Sequence, residues 1–173
     1  MPDSLAADPF IVLFVLLFLG IMAAAAIYDL VTYTIPHFAP VLLTGMFIIF
    51  ALWQGLSWPV LIDHAGVGIA MLIAGWALFA FGLMGGGDVK LFAATSLWMG
   101  WSGIVNYVIM FSICGGVLAL VLLLFRRLPL PVCLSRHGWV AVLHNEEQGV
   151  PYGIALTIGA ILAWPHILAL PSM

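Results

Sequence analysis

Gly85-Gly86-Gly87-Asp88-Val89-Lys90 separates two apolar stretches, Ala65–Met84 on one side and a second that starts at Leu91 on the other. A carboxylate between membrane-length apolar segments is costly and calls for a partner or a function. Gly85, Gly86 and Gly87 take every Cβ away from the approach to Asp88 and permit positive φ. The stretch therefore reads in two ways. Either another backbone comes close to this carboxylate, or a short polar turn has Asp88 as the N-cap of the helix that follows.

The surrounding composition sets the class. The chain has 173 residues, of which 65% are hydrophobic and 6% charged, with a mean hydropathy of +1.26. So few charges could not keep so apolar a surface in water, so the chain is expected to be an integral membrane protein. Its length suits one domain, residues 1–173, folded as an all-α polytopic bundle. With a net charge of −3 and four Lys or Arg there is no basic patch for phosphates, which excludes nucleic acid as a partner. Cys114 lies in an apolar run and Cys133 in a polar loop, with no CxxC pair, HExxH or Walker-type loop. No metal or cofactor is expected.

A span needs about 20 apolar residues to cross a hydrocarbon core of about 30 Å. Six candidates follow: Phe10–Tyr28, Ala39–Trp53, Leu61–Met84, Asp88–Met99, Gly103–Phe125 and Val150–Leu168. The fourth is only about half a bilayer long, so it is expected to be short or half-inserted. Phe10–Ile27 is longer than a usual signal-peptide core and follows Asp3 and Asp8 rather than basic residues, so it is read as a retained span. Alternation of six spans puts Lys90, Arg126, Arg127 and Arg136 on one side. By the positive-inside rule that side is cytoplasmic, with both termini on the other. Ala155, Gly159 and Ala163, like Gly66, Ala70 and Ala74, form small-residue stripes that suit close helix packing. Trp53, Trp58, Trp98 and Trp101 fall near span ends and read as interface anchors.

Asp29 and Asp88 are the two acids that fall at cytoplasmic span ends beside apolar sequence; Asp63, beside His64, falls on the opposite face. Two carboxyls that meet in a poorly solvated place have their proton affinities driven apart, so one stays protonated while the other is ionised, and such a pair can activate a water and protonate a leaving amine. The other reading is two independent, solvated acids at helix ends. Lys90 is two residues, or about 200° of helical rotation, from Asp88, so it would face away and meet anionic lipid headgroups. Glu146 and Glu147, before the last span, would attract a basic segment or simply be solvated.

These residues carry a resemblance. Asp29 followed by Ile35-Pro36, Gly85-Gly86-Gly87-Asp88-Val89-Lys90, and Pro151-Tyr152-Gly153 resemble, in order and spacing, the motifs of the type IV prepilin peptidases, GxGD membrane aspartic proteases. The resemblance covers nearly the whole chain. It implies a bacterial inner-membrane endopeptidase that removes the leader of pilin-like precursors at the cytoplasmic face, beside the substrate's hydrophobic helix. Asp29 and Asp88 would be catalytic, with Gly85, Gly86, Gly87, Lys90, Ile35, Pro36, Pro151 and Tyr152 in support. His37 stands where the family commonly has Asn, and the paired-cysteine loop of the longer, N-methylating members is missing. In this the chain resembles the short branch that serves tight-adherence (Flp-type) pili. Two competing readings use the same acids. One is a small proton-coupled carrier; the other, suggested by Tyr28-Asp29 with GxGD, is a presenilin-like intramembrane protease, whose Pro-Ala-Leu segment this chain lacks.

Overall fold

The computed structural model describes residues 8–129, 138–145 and 148–163, and every structural statement below concerns these. Asp3, Cys133, Arg136, Glu146, Glu147 and the end of the last expected span lie outside them. Six helices account for nearly all of the described chain: α1 Pro9–Thr32, α2 Phe38–Gln54, α3 Trp58–Ala80, α4 Gly86–Arg127, α5 Gly138–His144 and α6 Tyr152–Ala163. The helices α1, α3 and α4 are long and apolar enough to cross a membrane, and α2 and α6 are shorter apolar helices. The all-α polytopic reading holds.

Local chemistry explains where the helices begin and end. Asp8 caps α1, its side chain accepting from the Phe10 amide at 2.9 Å, and Pro9 occupies a position where a missing N–H is harmless. Gly55 ends α2 in the left-handed region at φ 65°. Tyr33 does the same for α1 at φ 54°, its amide donating to the Asp29 carbonyl oxygen at 2.7 Å. A tyrosine there carries a strain of about 1–3 kcal/mol. What it achieves is a sharp turn immediately after Asp29.

The helix α4 is two helices. At Gly100, φ is 59° and ψ −178°, and the chain doubles back. Phe92 lies 5.7 Å from Tyr107 and 5.5 Å from Phe111 between ring centroids, although 15 residues of straight helix would separate the first pair by about 22 Å. The break falls directly after Met99, where the fourth expected span ends, and the helix resumes at once at Trp101 rather than at Gly103. The first half, residues 86–99, is the buried centre of the bundle. Around α4 pack α3, α6 and α2, and α1 bridges α6 and α2. Most of α3 is exposed apolar surface, as befits a peripheral helix in lipid.

Small residues set the tightest contacts, as expected for helices that gain nothing from hiding apolar surface in lipid. Ala155, Gly159 and Ala163 are all buried. On α3 the expected stripe lies only partly on the packing face: Gly66 and Ala70 are half-buried, Ala74 is exposed, and the tightest packing runs through Val67, Gly68 and Gly75. The reason is angular: Gly75 meets Val89 and Gly68 meets Leu97, both on the first half of α4. Trp98 is also corrected. It is 4% exposed, packs edge-on against Phe18 and Phe47, and donates its indole N–H to the Leu43 carbonyl oxygen at 3.0 Å. It is a core residue, whereas Trp58 and Trp101 are exposed.

A Cβ added at Gly159 would lie 2.8 Å from the backbone N and Cα of Phe111, while one at Gly116 would meet nothing within 4 Å. Gly159→Ala should therefore push α6 off α4 and destabilise the bundle by about 1–3 kcal/mol. Thermal unfolding of the detergent-solubilised protein checks this, with Gly116→Ala expected to unfold like the wild type.

Candidate active site

Asp29 sits in the last turn of α1, and Asp88 in the first turn of α4. They are 4% and 9% exposed, the two buried carboxyl side chains among the described residues. Both lie at one end of the bundle, where Ile35, six residues after Asp29, packs on the backbone of Gly87, the residue before Asp88.

Each is held by an amide at a helix N-terminus, where N–H groups lack intrahelical partners. Asp29 Oδ2 accepts from the Gly153 amide at 2.8 Å, at the start of α6. Asp88 Oδ2 accepts from the Gly85 amide at 3.1 Å. Gly85, not Asp88, is the N-cap of α4, and Asp88 is its third helical residue, reaching back over the cap. The turn reading thus holds in part: although the N-cap itself is Gly85, one oxygen of Asp88 reaches back to that cap residue. The other, Oδ1, is buried with no hydrogen-bond partner among the described residues.

The glycines act by close approach. Gly85 has φ −72°, and the positive-φ glycines are Gly55, Gly82 and Gly100, so the freedom expected of the triple glycine is not used for left-handed backbone. A Cβ at Gly85 would lie 2.7 Å from Asp88 Oδ2, and one at Gly87 would lie 3.0 Å from the Ile35 Cβ. At Gly86 the nearest atom is a Phe79 ring carbon at an ordinary 3.5 Å. The buried Ile35 thus docks on the Gly87 backbone, which joins the Asp29 segment to the Asp88 segment. Pro36 accepts the Ala39 amide at 3.1 Å and so starts α2.

Pro151 is fully buried. Tyr152 turns its ring toward Phe111 and Gly115 rather than the acids. It lines a cavity of about 250 Å³ with Leu83, Met84, Gly115 and Gly116. The contact with Asp29 comes instead from Gly153, where a Cβ would lie 2.9 Å from Asp29 Oδ2. Sequence reasoning quoted Gly153 in the motif but gave it no role; a small residue at a helix start was the available signal. Lys90 is exposed and His37 is exposed at the start of α2. Arg126 turns inward, donating from Nε to the Leu143 carbonyl oxygen at 3.0 Å and from Nη2 to that of Gly149 at 2.9 Å. It pins the chain just before Pro151. No group of three or more His, Cys, Asp or Glu among the described residues could hold a metal ion.

A sequence model of the type IV leader peptidase family matches residues 16–120. The chain belongs to that family. It is 31% identical over 148 residues to prepilin leader peptidase/N-methyltransferases of Aeromonas salmonicida and Aeromonas hydrophila, which covers 74% of this chain and 51% of theirs. The Dickeya chrysanthemi protein of the same name is 31% identical over 164 residues, 87% of this chain and 52% of its own. The chain thus spans about half the length of these curated relatives. No solved structure matches it. The family match includes Asp29, Ile35-Pro36, Gly85–Asp88 and the Gly100 break, and stops before Gly153.

Gly153→Ala should displace the Asp29 carboxylate, because the new methyl group would occupy its hydrogen-bonding position. A misplacement of about 1 Å can lower a rate by about 10²-fold. Gly149→Ala, with nothing within 4 Å of its added Cβ, should retain activity; a peptidase assay of both purified variants checks the contrast.

Proposed function

We propose that this chain is a membrane aspartic endopeptidase that cleaves the leader peptide from type IV pilin-like precursors. The observation that carries the reading is that Asp29 and Asp88, two buried carboxyls each bound by one backbone amide, belong to segments that meet where Ile35 packs on the Gly87 backbone. Membership of the type IV leader peptidase family, and relatives named prepilin leader peptidase/N-methyltransferase, support it. In the reaction one carboxylate takes a proton from a water that attacks the scissile carbonyl carbon. The other carboxyl, protonated, gives its proton to the leaving amine. No metal or cofactor enters this chemistry, and the missing Cβ atoms of Gly85 and Gly87 let Asp88 sit against its cap and the Ile35 segment sit against Asp88's own turn.

The site is proposed to open to the cytoplasmic face of the bacterial inner membrane. Lys90, Arg126 and Arg127 lie toward the end of the bundle that holds the acids, in keeping with the positive-inside rule. Lys90, exposed beside the site, is suited to an anionic headgroup.

Residues that act as a unit lose activity non-additively. Asp29→Asn and Asp88→Asn should each abolish precursor cleavage in membranes, and the double variant should be no worse than either. Asp8→Asn, at the far end of α1 and still able to cap it, should cleave normally. Substantial cleavage by either site variant, stably inserted, would remove the catalytic pair. Ion flux in liposomes without cleavage would instead support the carrier.

Sidedness is checked separately. Exposed Thr34 and Ser57 flank α2, so single cysteines there should be labelled from opposite faces, Thr34→Cys from the cytoplasmic one.

A further inference from the structure

The break at Gly100 creates a polar problem away from the acids. It strands the last carbonyls of the first half of α4 and the first amides of the second half. In apolar surroundings such groups must be satisfied by the protein. Two adjacent residues of α3 do this. His64 Nδ1 lies 2.7 Å from the Leu97 carbonyl oxygen, and Asp63 Oδ2 accepts from the Trp101 amide at 3.3 Å. A carbonyl has no proton to give, so Nδ1 carries the hydrogen. The His64 side chain is 5% exposed and packs on Phe47 at 5.3 Å between centroids. A Cβ at Gly100 would lie 3.0 Å from its Cε1. Left-handed backbone and the imidazole together require glycine at the break.

The first half of α4 carries this break at one end and Asp88 at the other. We propose that Asp63 and His64 form a clasp across the Gly100 break and act as positioning residues for Asp88. The proposal rests on the reading of Asp88 as catalytic. From Leu97 to Asp88 is nine residues, about 13 Å of helix. A tilt of about 4° at the break therefore moves the carboxylate about 1 Å, a displacement that can cost about 10²-fold in rate. The group displaced is the proposed catalytic carboxylate, so the loss is expected in kcat.

The test uses the full-length protein in detergent or proteoliposomes. His64→Asn keeps an N–H close to the position of Nδ1, His64→Gln places it one carbon further out, and His64→Ala removes it. His64→Ala and His64→Gln should lower kcat by about 10²-fold with KM unchanged, and His64→Asn should restore it to within about threefold. A second readout does not use cleavage. The Cβ positions of Gly75 and Val89 lie 3.5 Å apart, within disulfide range. Gly75→Cys with Val89→Cys should cross-link efficiently under oxidation, and less so when His64→Ala is added.

Unchanged kcat and cross-linking in His64→Ala would overturn the clasp, as would a fall in kcat with unchanged cross-linking. A fall in kcat that His64→Asn does not restore would overturn it too. Should His64→Ala not accumulate, Asp63→Ala against Asp63→Asn, which keeps an acceptor oxygen, makes the same comparison. If Asp88→Asn still cleaves, the catalytic reading fails while the cross-link continues to report the clasp.

Discussion

The hydrogen bond from the Gly153 amide to Asp29 Oδ2 joins residues 124 positions apart and closes the bundle at the end that matters. It needs several things at once. Helix α6 must begin at that point, which Pro151 favours by ending the preceding strand of chain in an extended form and by tolerating a helix start. Arg126 must hold the carbonyls at 143 and 149 so that the chain reaches α6 at the correct height. Along α6, Thr157 donates to the Met22 carbonyl oxygen at 3.0 Å and Gly159 rides on the Phe111 backbone. Those contacts fix α6 against both α1 and α4, so the amide arrives at the carboxylate with little freedom.

A buried carboxylate with one hydrogen bond is not a stabilising feature. The bundle tolerates two because apolar packing elsewhere offsets them, with Phe18, Phe47, Phe50 and Trp98 packed ring against ring. The glycines apportion that packing. At Gly75 and Gly159 they bring helices together, and at Gly85, Gly87 and Gly153 they bring backbone to a carboxylate or to the segment that follows one. The same residue type brings helix to helix at some positions and backbone to a carboxylate at others, and the neighbouring atoms, not the glycine itself, show which.

Much of this was legible in the sequence because membrane helices are strongly written. The apolar runs marked the helices, and Met99 marked the end of the short fourth one. Ile35 and Gly87 stand in two motifs far apart in the chain, and the structure brings these two into contact. What was not legible depended on rotation about helix axes. Trp98 reads as an anchor from its position near a span end, yet its ring turns inward to Leu43. Gly66, Ala70 and Ala74 repeat every four residues as a packing stripe should, but the face that meets α4 is displaced toward Gly68 and Gly75. Tyr152 is the conspicuous residue of its motif, while its plain neighbour Gly153 makes the contact. Asp63 gave no signal beyond its charge, because its partner is an amide freed by a break that only the fold reveals.

The two acids are supported unequally, and that bears on how they would divide the proposed reaction. Asp29 is bound from outside its own helix, by an amide that the whole bundle positions. Asp88 is bound by its own N-terminal turn and keeps Oδ1 uncommitted to any described residue, although that oxygen is buried. A buried carboxylate oxygen has strong hydrogen-bonding capacity to satisfy. In the proposed pair, Asp88 Oδ1 is therefore the oxygen best suited to a water or a peptide group, and Asp29 the better-anchored member that sets the field around it. Anchoring one acid through tertiary contacts and the other through a helix whose far end is clasped at Gly100 leaves their separation to be set by how α4 sits against α3 and against α6, which carries α1. Helix packing thus controls the one distance on which shared-proton chemistry depends.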